Sequence, residues 1–252
     1  MTTQKAILVI GAGDATGGAI ARRFAREGFI ACVTRRSADK LEPLVAQIQA
    51  DGGQAHCFGS PNAYLCHQVL PAIEARTGTR IEYLPILLGG LFKLSNNRSP
   101  AEAFSGIANK RAYDRLELQR FVKRHQLHRF RINPFFPVNT LKIMRLAVAA
   151  QALGCAAPYI NAMVAAMWEQ GRNRDAADEI AAVLSEAGLD GLALLASAQT
   201  PEVKAKLLAN TQSAFERGAF GAPTFFVGSE MFFGKDRLRE FEEQITGGQP
   251  KA

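Results

Sequence analysis

The stretch Ser60-Pro61-Asn62-Ala63-Tyr64-Leu65 decides how the rest of the chain is read. Proline suits the first turn of a helix, where its missing N–H would be unpaired anyway, and a serine just before it is a good N-cap. Gln54 to Phe58 carries a strand signal upstream, and a helical pattern runs from Pro61 to Arg76 and stops at Gly78. A serine hydroxyl is therefore placed where a strand hands over to a helix, beside free N–H groups and the positive end of the helix dipole. Such an end stabilises a thiolate by roughly 1 kcal/mol. Plain capping is the competing role for Ser60, and spacing alone leaves both open.

Working outward, Ile81 to Leu87 reads as a strand. Helical patterns then cover Ala101 to Gln126, Thr140 to Leu153, Pro158 to Gln170, Ala176 to Ala187 and Pro201 to Arg217. Pro223 to Val227 and Met231 to Phe233 form a hairpin around Gly228-Ser229-Glu230, and an amphipathic helix spans Asp236 to Ile245. Strand, helix, strand, a helical insertion over about 99–217, then hairpin and helix is the order of a thioredoxin-like domain. In that fold a cis proline precedes the hairpin, here Gly221-Ala222-Pro223-Thr224-Phe225, and the backbone before it can pair with an extended peptide. Ser60 and Ala63 stand where a disulfide oxidoreductase has its two cysteines, which excludes thiol–disulfide exchange.

Residues 59–245 resemble the 2-hydroxychromene-2-carboxylate isomerases, relatives of kappa-class glutathione transferases. The resemblance rests on Ser60 to Leu65, Pro85-Ile86-Leu87-Leu88-Gly89-Gly90-Leu91-Phe92-Lys93, Asn97-Arg98-Ser99-Pro100, Phe136-Pro137-Val138-Asn139-Thr140, Phe220 to Thr224 and Phe233-Gly234-Lys235-Asp236-Arg237. It implies glutathione as cofactor, with Ser60 bonding the sulfur, Ala222 pairing with the tripeptide backbone, and Lys235, Asp236 and Arg237 holding the zwitterionic γ-glutamyl end. Lys93, Asn97 and Asn139 would face a small anionic aromatic substrate, with Lys93 on its carboxylate; Trp168, Phe92 and Phe136 would wall its pocket. Each residue has a plainer reading: Lys93 as a solvated lysine, Asn97 as a turn former, Asp236 as the last helix's N-cap, the aromatics as core. The expected reaction is glutathione-dependent ring opening of 2-hydroxychromene-2-carboxylate to a benzylidenepyruvate, in a homodimer. The alternatives are a kappa-type glutathione transferase, or an inactive fusion that binds NADP or a partner.

The amino-terminal residues belong to a different pattern. Ala6 to Ile10 and Phe29 to Thr34 read as strands, with helices over Ala15 to Glu27 and from Ser37 to Ala50. Gly11, Gly13 and Gly17 follow the first strand as in a dinucleotide-binding turn, and Arg35 and Arg36 after the second strand would suit the 2'-phosphate of NADP. These residues resemble the start of short-chain dehydrogenase/reductases, although Ile10 and Ala15 depart from that pattern and none of Tyr64, Tyr83, Tyr113 or Tyr159 has Lys four positions later. The expected class is α/β: a thioredoxin-like sheet with a large all-helical insertion over 54–245, a partial Rossmann-like βαβα segment over 1–53, and a tail at 246–252. Two sheets compete for the strand at Gln54 to Phe58, and the thioredoxin-like one is expected to take it because it buries the larger core.

Composition sets the outer limits. The 252 residues are 48% hydrophobic and 21% charged with mean hydropathy −0.03, an ordinary globular composition with no apolar run of spanning length. The net charge of +7 comes with interleaved acids such as Asp114, Arg115, Glu117 and Arg120, a solvated pattern that favours small anions over nucleic acid. Cys32, Cys57, Cys66 and Cys155 form no Cys-x-x-Cys pair, so no metal site is expected. The short apolar start ends at Gly11 and lacks a signal-peptide core, so the expected location is the cytoplasm, away from membranes.

Overall fold

A serine followed by proline starts a helix here as the residue types dictate. Ser60 has extended φ/ψ of −91° and 125°, Pro61 is the first helical residue, and helix α1 runs Pro61–Thr77 until Gly78 takes φ 68° and donates its N–H to the Glu74 carbonyl. The computed structural model describes residues 6–10, 30–34 and 60–247. The chain divides into two compact units, 1–52 and 53–252. In the first, β1 (Ala6–Ile10) pairs in parallel with β2 (Ile30–Thr34), with Leu8 opposite Cys32. Parallel neighbours need a crossover connection, as a βαβ unit requires. The expected helices of this segment, Gly11, Gly13, Gly17, Arg35, Arg36, the strand at Gln54 to Phe58 and the tail beyond 247 lie outside the described residues.

In the second unit α1 is followed by α2 (Leu88–Leu94), α3 (Pro100–Ala103), α4 (Lys110–Arg124), α5 (Leu141–Ala152), α6 (Ala156–Trp168), α7 (Ala177–Glu186), α8 (Gly191–Ser197) and α9 (Pro201–Glu216). Strands β3 (Thr224–Val227) and β4 (Glu230–Phe233) form the expected antiparallel hairpin, Phe225 opposite Phe232, and α10 (Leu238–Ile245) closes the unit. Helix α5 packs against α6, α8 and α9, and its side chains from Leu146 to Ala150 are all buried. A helix apolar nearly all round belongs at the centre of a domain. Trp168 and Tyr159 on α6 are fully buried beside it, and the Tyr159 hydroxyl donates to the Ile143 carbonyl at 2.7 Å.

Two expectations change. The helix over 101–126 is broken into α3 and α4: Ser99 and Glu102 cap α3 reciprocally, Ser105 bonds back to the Glu102 carbonyl at 2.9 Å, and Asn109 takes φ 65°. Residues 101–109 are all exposed, so no buried face repays the helix cost of Gly106. Second, α2 and α8 appear where the sequence showed none. The Gly89-Gly90 pair disguises α2, whereas Asp190 caps α8 at the Ala193 N–H, 2.9 Å away, a legible signal.

Ile81 to Leu87 joins no ladder among the described residues, and its expected neighbour at Gln54 to Phe58 lies outside them. Side chains take one edge of this segment. The Ile81 N–H donates to Glu74 (2.6 Å) and the Leu87 N–H to Thr211 (2.9 Å), while Gln151 donates to the Tyr83 carbonyl (2.6 Å) and Asn210 to the Pro85 carbonyl (3.1 Å). Odd-numbered backbone groups point to one edge of an extended segment, so α1, α5 and α9 satisfy that edge.

Candidate functional site

Helix α1 delivers Ser60 to one side of the candidate site. The Ser60 carbonyl receives the Ala63 and Tyr64 N–H groups at 3.1 and 3.3 Å, but its hydroxyl makes no cap hydrogen bond. Ser60 thus marks the helix start by conformation, and its side chain is not spent on capping. A cavity of about 590 Å³ runs from the first turn of α1, at Ala63, past the extended residues Glu82 and Leu84 to Ala222, Pro223 and Phe225. Ala63 and Tyr64 of the first motif and Gly221 to Phe225 of the second therefore line one cavity, and Ser60 is not among its lining residues.

The Ala222–Pro223 peptide bond is cis, as expected, and a second cis bond joins Phe136 to Pro137. Ala222 lies just before β3, outside the β3–β4 ladder that begins at Thr224. Its neighbours are held by hydrogen bonds: the Thr224 hydroxyl donates to the Gly221 carbonyl at 2.7 Å, and the Gly234 N–H to the Pro223 carbonyl at 2.9 Å. Phe220 packs against Phe233 with tilted rings, their centres 4.6 Å apart.

The charged residues after β4 are arranged unequally. Lys235 is only 7% exposed; its ammonium lies 5.3 Å from the Phe121 ring centre and donates to Asp236 at 2.5 Å. Asp236 itself is open to solvent, and Arg237 pairs with Glu240 at 2.7 Å. The N-cap of α10 is Arg237, so Asp236 is not the cap. On the other flank Lys93 is exposed on α2. Asn97 follows that helix; its Nδ2 donates to the Phe220 carbonyl and its Oδ1 accepts the Arg98 N–H, both at 2.8 Å. Asn139 is engaged in local structure: its Oδ1 accepts the Leu141 N–H at 3.0 Å, and its own N–H donates to Asp175 at 2.9 Å. Trp168 and Phe136 touch, with ring centres 5.5 Å apart, but Trp168 is wholly buried and Phe92 packs in a separate cluster with Leu87 and Ala222. The three aromatics thus do not form a single wall.

The electrostatics near the start of α1 favour neutral side chains. Burial pushes the Cys66 thiol up to about 12, with the Lys235 ammonium pulling the other way. Burial, with the Glu169 carboxylate as a second cause, also raises the Tyr64 phenol; the Tyr64 hydroxyl donates to Glu169 at 3.1 Å. Burial lowers the His67 imidazole, which bridges Tyr83 Oη (2.7 Å) and Asn161 Oδ1 (2.9 Å). No group of metal-ligating side chains occurs among the described residues. Glu169, Asp175, Asn161 and Tyr83 escaped the sequence reading; Glu169, Asn161 and Asp175 lie 105, 94 and 36 residues from their partners, so no local signal marks them.

A tripeptide thiol fits these residues in three respects: a hydroxyl at a helix start for its sulfur, an Ala222 backbone outside the ladder, and the solvent-facing Asp236 carboxylate, whose Oδ1 already pairs with Lys235, for an ammonium. The Lys235 ammonium, turned inward, is occupied by its own neighbour. No described helix is long and apolar enough to cross a membrane.

Comparison with known proteins agrees with this architecture. The family described as DSBA-like thioredoxin domain matches residues 58–246, and the short chain dehydrogenase family matches residues 5–78. A 2-hydroxychromene-2-carboxylate isomerase of Sphingobium xenophagum is 26% identical over 190 residues, 75% of this chain and 94% of that protein. One from Pseudomonas putida is 29% identical over 191 residues, 75% of this chain and 90% of its own length. The solved structure of a selenomethionine 2-hydroxychromene-2-carboxylate isomerase superposes with a TM-score of 0.65 at 27% identity, over 75% of this chain and 90% of that one. The thioredoxin-like expectation with its helical insertion is borne out, and the parallel pairing of β1 with β2 accords with the shorter match.

Proposed function

The chain belongs to the DsbA-like thioredoxin domain family, and from that premise we propose that it is a glutathione-dependent isomerase opening the ring of 2-hydroxychromene-2-carboxylate or a similar small anionic aromatic. Relatives at 26–29% identity carry that isomerase name and support an enzyme of this kind. The observation that carries the finer reading is Ser60: a hydroxyl at a helix start, unused as a cap, three residues before Ala63, which lines the cavity that also reaches the cis proline.

Bound glutathione supplies a nucleophilic thiolate that is regenerated in each turnover. The Ser60 hydroxyl would stabilise the thiolate by donating a hydrogen bond to the sulfur, and the α1 dipole would lower the cost of a negative charge there. The Ala222 backbone pairs with the tripeptide main chain, and the Asp236 carboxylate receives its γ-glutamyl ammonium. Lys93, on the opposite flank, holds the substrate carboxylate so that the ring is in line with the sulfur. Cys66, its thiol pushed up to about 12, stays protonated and does not compete as nucleophile. A homodimer is the expected assembly.

The test follows the absorbance of hydroxychromene carboxylate with and without glutathione, in wild type and Ser60→Ala. Turnover should require glutathione and fall about 10²-fold or more in the variant; equal turnover without glutathione defeats the proposal. The match of residues 5–78 to short chain dehydrogenases favours a second activity, NADP binding at the glycine-rich turn and Arg35-Arg36. Calorimetric titration with NADP checks it, and an absence of heat excludes it.

A further inference from the structure

We infer that Asn97 works on the cofactor side of the site, as a positioning residue that holds the cis-proline loop. The inference rests on the proposed use of glutathione. A carboxamide has an acceptor end and a donor end, and each end of Asn97 makes one bond within the protein. Oδ1 accepts the Arg98 N–H, and Nδ2 reaches across 123 residues of sequence to the Phe220 carbonyl, each at 2.8 Å. The Asn97 backbone is fixed too, its N–H donating to the Phe92 carbonyl at 2.8 Å. The side chain is therefore a strut between the end of α2 and the loop that leads into β3.

Three of the four carbonyls of that loop have a donor. Phe220 is held by Asn97, Gly221 by the Thr224 hydroxyl and Pro223 by the Gly234 N–H. The Ala222 carbonyl between them is engaged by no described residue. The proposed function assigns this same residue to the tripeptide. Thr224 and Gly234 border or belong to the hairpin itself, whereas Asn97 is the donor that comes from the helical side. Releasing it frees Phe220, two residues before Ala222, and blurs the position of the backbone that must meet glutathione. Since α2 also carries Lys93, the strut ties the cofactor loop to the element that holds the substrate.

Asn97→Asp is the discriminating variant, because it keeps the acceptor for the Arg98 N–H and removes the donor to Phe220; Asn97→Ala removes both. Asn97 is exposed, so both variants fold. Calorimetry is expected to give a glutathione Kd about five- to tenfold weaker in both. Amide hydrogen exchange at Gly221 and Ala222 should quicken, while the KM for the carboxylate substrate at saturating glutathione stays within about twofold of wild type. Unchanged glutathione affinity, or a raised substrate KM with normal glutathione binding, overturns the inference. If wild-type protein takes up no glutathione, the functional reading and the cofactor role fall together, and the exchange rates alone decide whether Asn97 holds the loop.

Discussion

Gly221 faces the ring of Phe233 so closely that a Cβ on the glycine would stand 2.8 Å from Phe233 Cε2. The contact explains why the residue before Ala222 has no side chain: the loop can lie flat against β4 only where the ring meets bare backbone. Phe233 is 42% exposed, so its ring can swing away at the expense of its packing against Phe220. Gly221→Ala should therefore cost about 1 kcal/mol, near the low end for overpacking. Adding Phe233→Leu should restore the melting temperature. Failure of the double variant to recover would place the strain elsewhere.

His67 makes stability depend on pH in a definite direction. With Asn161 offering its carbonyl oxygen, Nε2 carries the proton and Nδ1 accepts from the Tyr83 hydroxyl. Burial lowers the imidazole below its ordinary value near 6.5, so the folded state binds fewer protons than the unfolded one. The contribution is complete above about pH 6.5 and is lost as the pH falls from there through the folded value. Denaturant titrations of wild type and His67→Gln should show wild type losing more stability between pH 7 and 5. Parallel curves would contradict this.

Cys66 should be chemically silent in the native state. It is 1% exposed and its thiol is pushed up to about 12, which leaves almost no thiolate at neutral pH. Iodoacetamide at pH 8 should label Cys66 only after unfolding in guanidinium, as read by peptide mass spectrometry. Rapid labelling of folded protein would mean that the first turns of α1 open readily.

Asn133 is the buried joint between the 133–137 loop and α6. It is 2% exposed; its Nδ2 donates to the Met167 and Arg172 carbonyls at 2.8 and 2.9 Å, and its Oδ1 accepts the Phe135 N–H at 2.7 Å. Asn133→Ala leaves these backbone groups without their partner, each costing about 1–3 kcal/mol if water cannot reach it. A net loss of about 3 kcal/mol in urea unfolding is expected. A change under 1 kcal/mol would show that solvent enters the joint.

The residues themselves were enough to place much of this protein. Serine then proline, Gly78 after a helical run, and a glycine turn between alternating apolar residues are local signals, because caps, first-turn prolines and hairpins are settled by backbone geometry within a few residues. They located α1, the hairpin and α10, and the ordered motifs from Ser60 to Arg237 pointed to the family. What the sequence could not decide is how side chains far apart along the chain share their hydrogen bonds. Ile81 to Leu87 has strand composition, yet Glu74, Gln151, Asn210 and Thr211 seal one of its edges. Lys235 and Asp236 read as one charged pair open to a ligand; they do bond each other, but burial against Phe121 turns the lysine inward and leaves only the carboxylate in solvent. Asn97 reads as a turn former or a substrate ligand, and its bond to Phe220 exists only because α2 and the cis-proline loop come together in space. A hydrogen bond depends on distance and direction between folded elements, and no spacing along the chain encodes either.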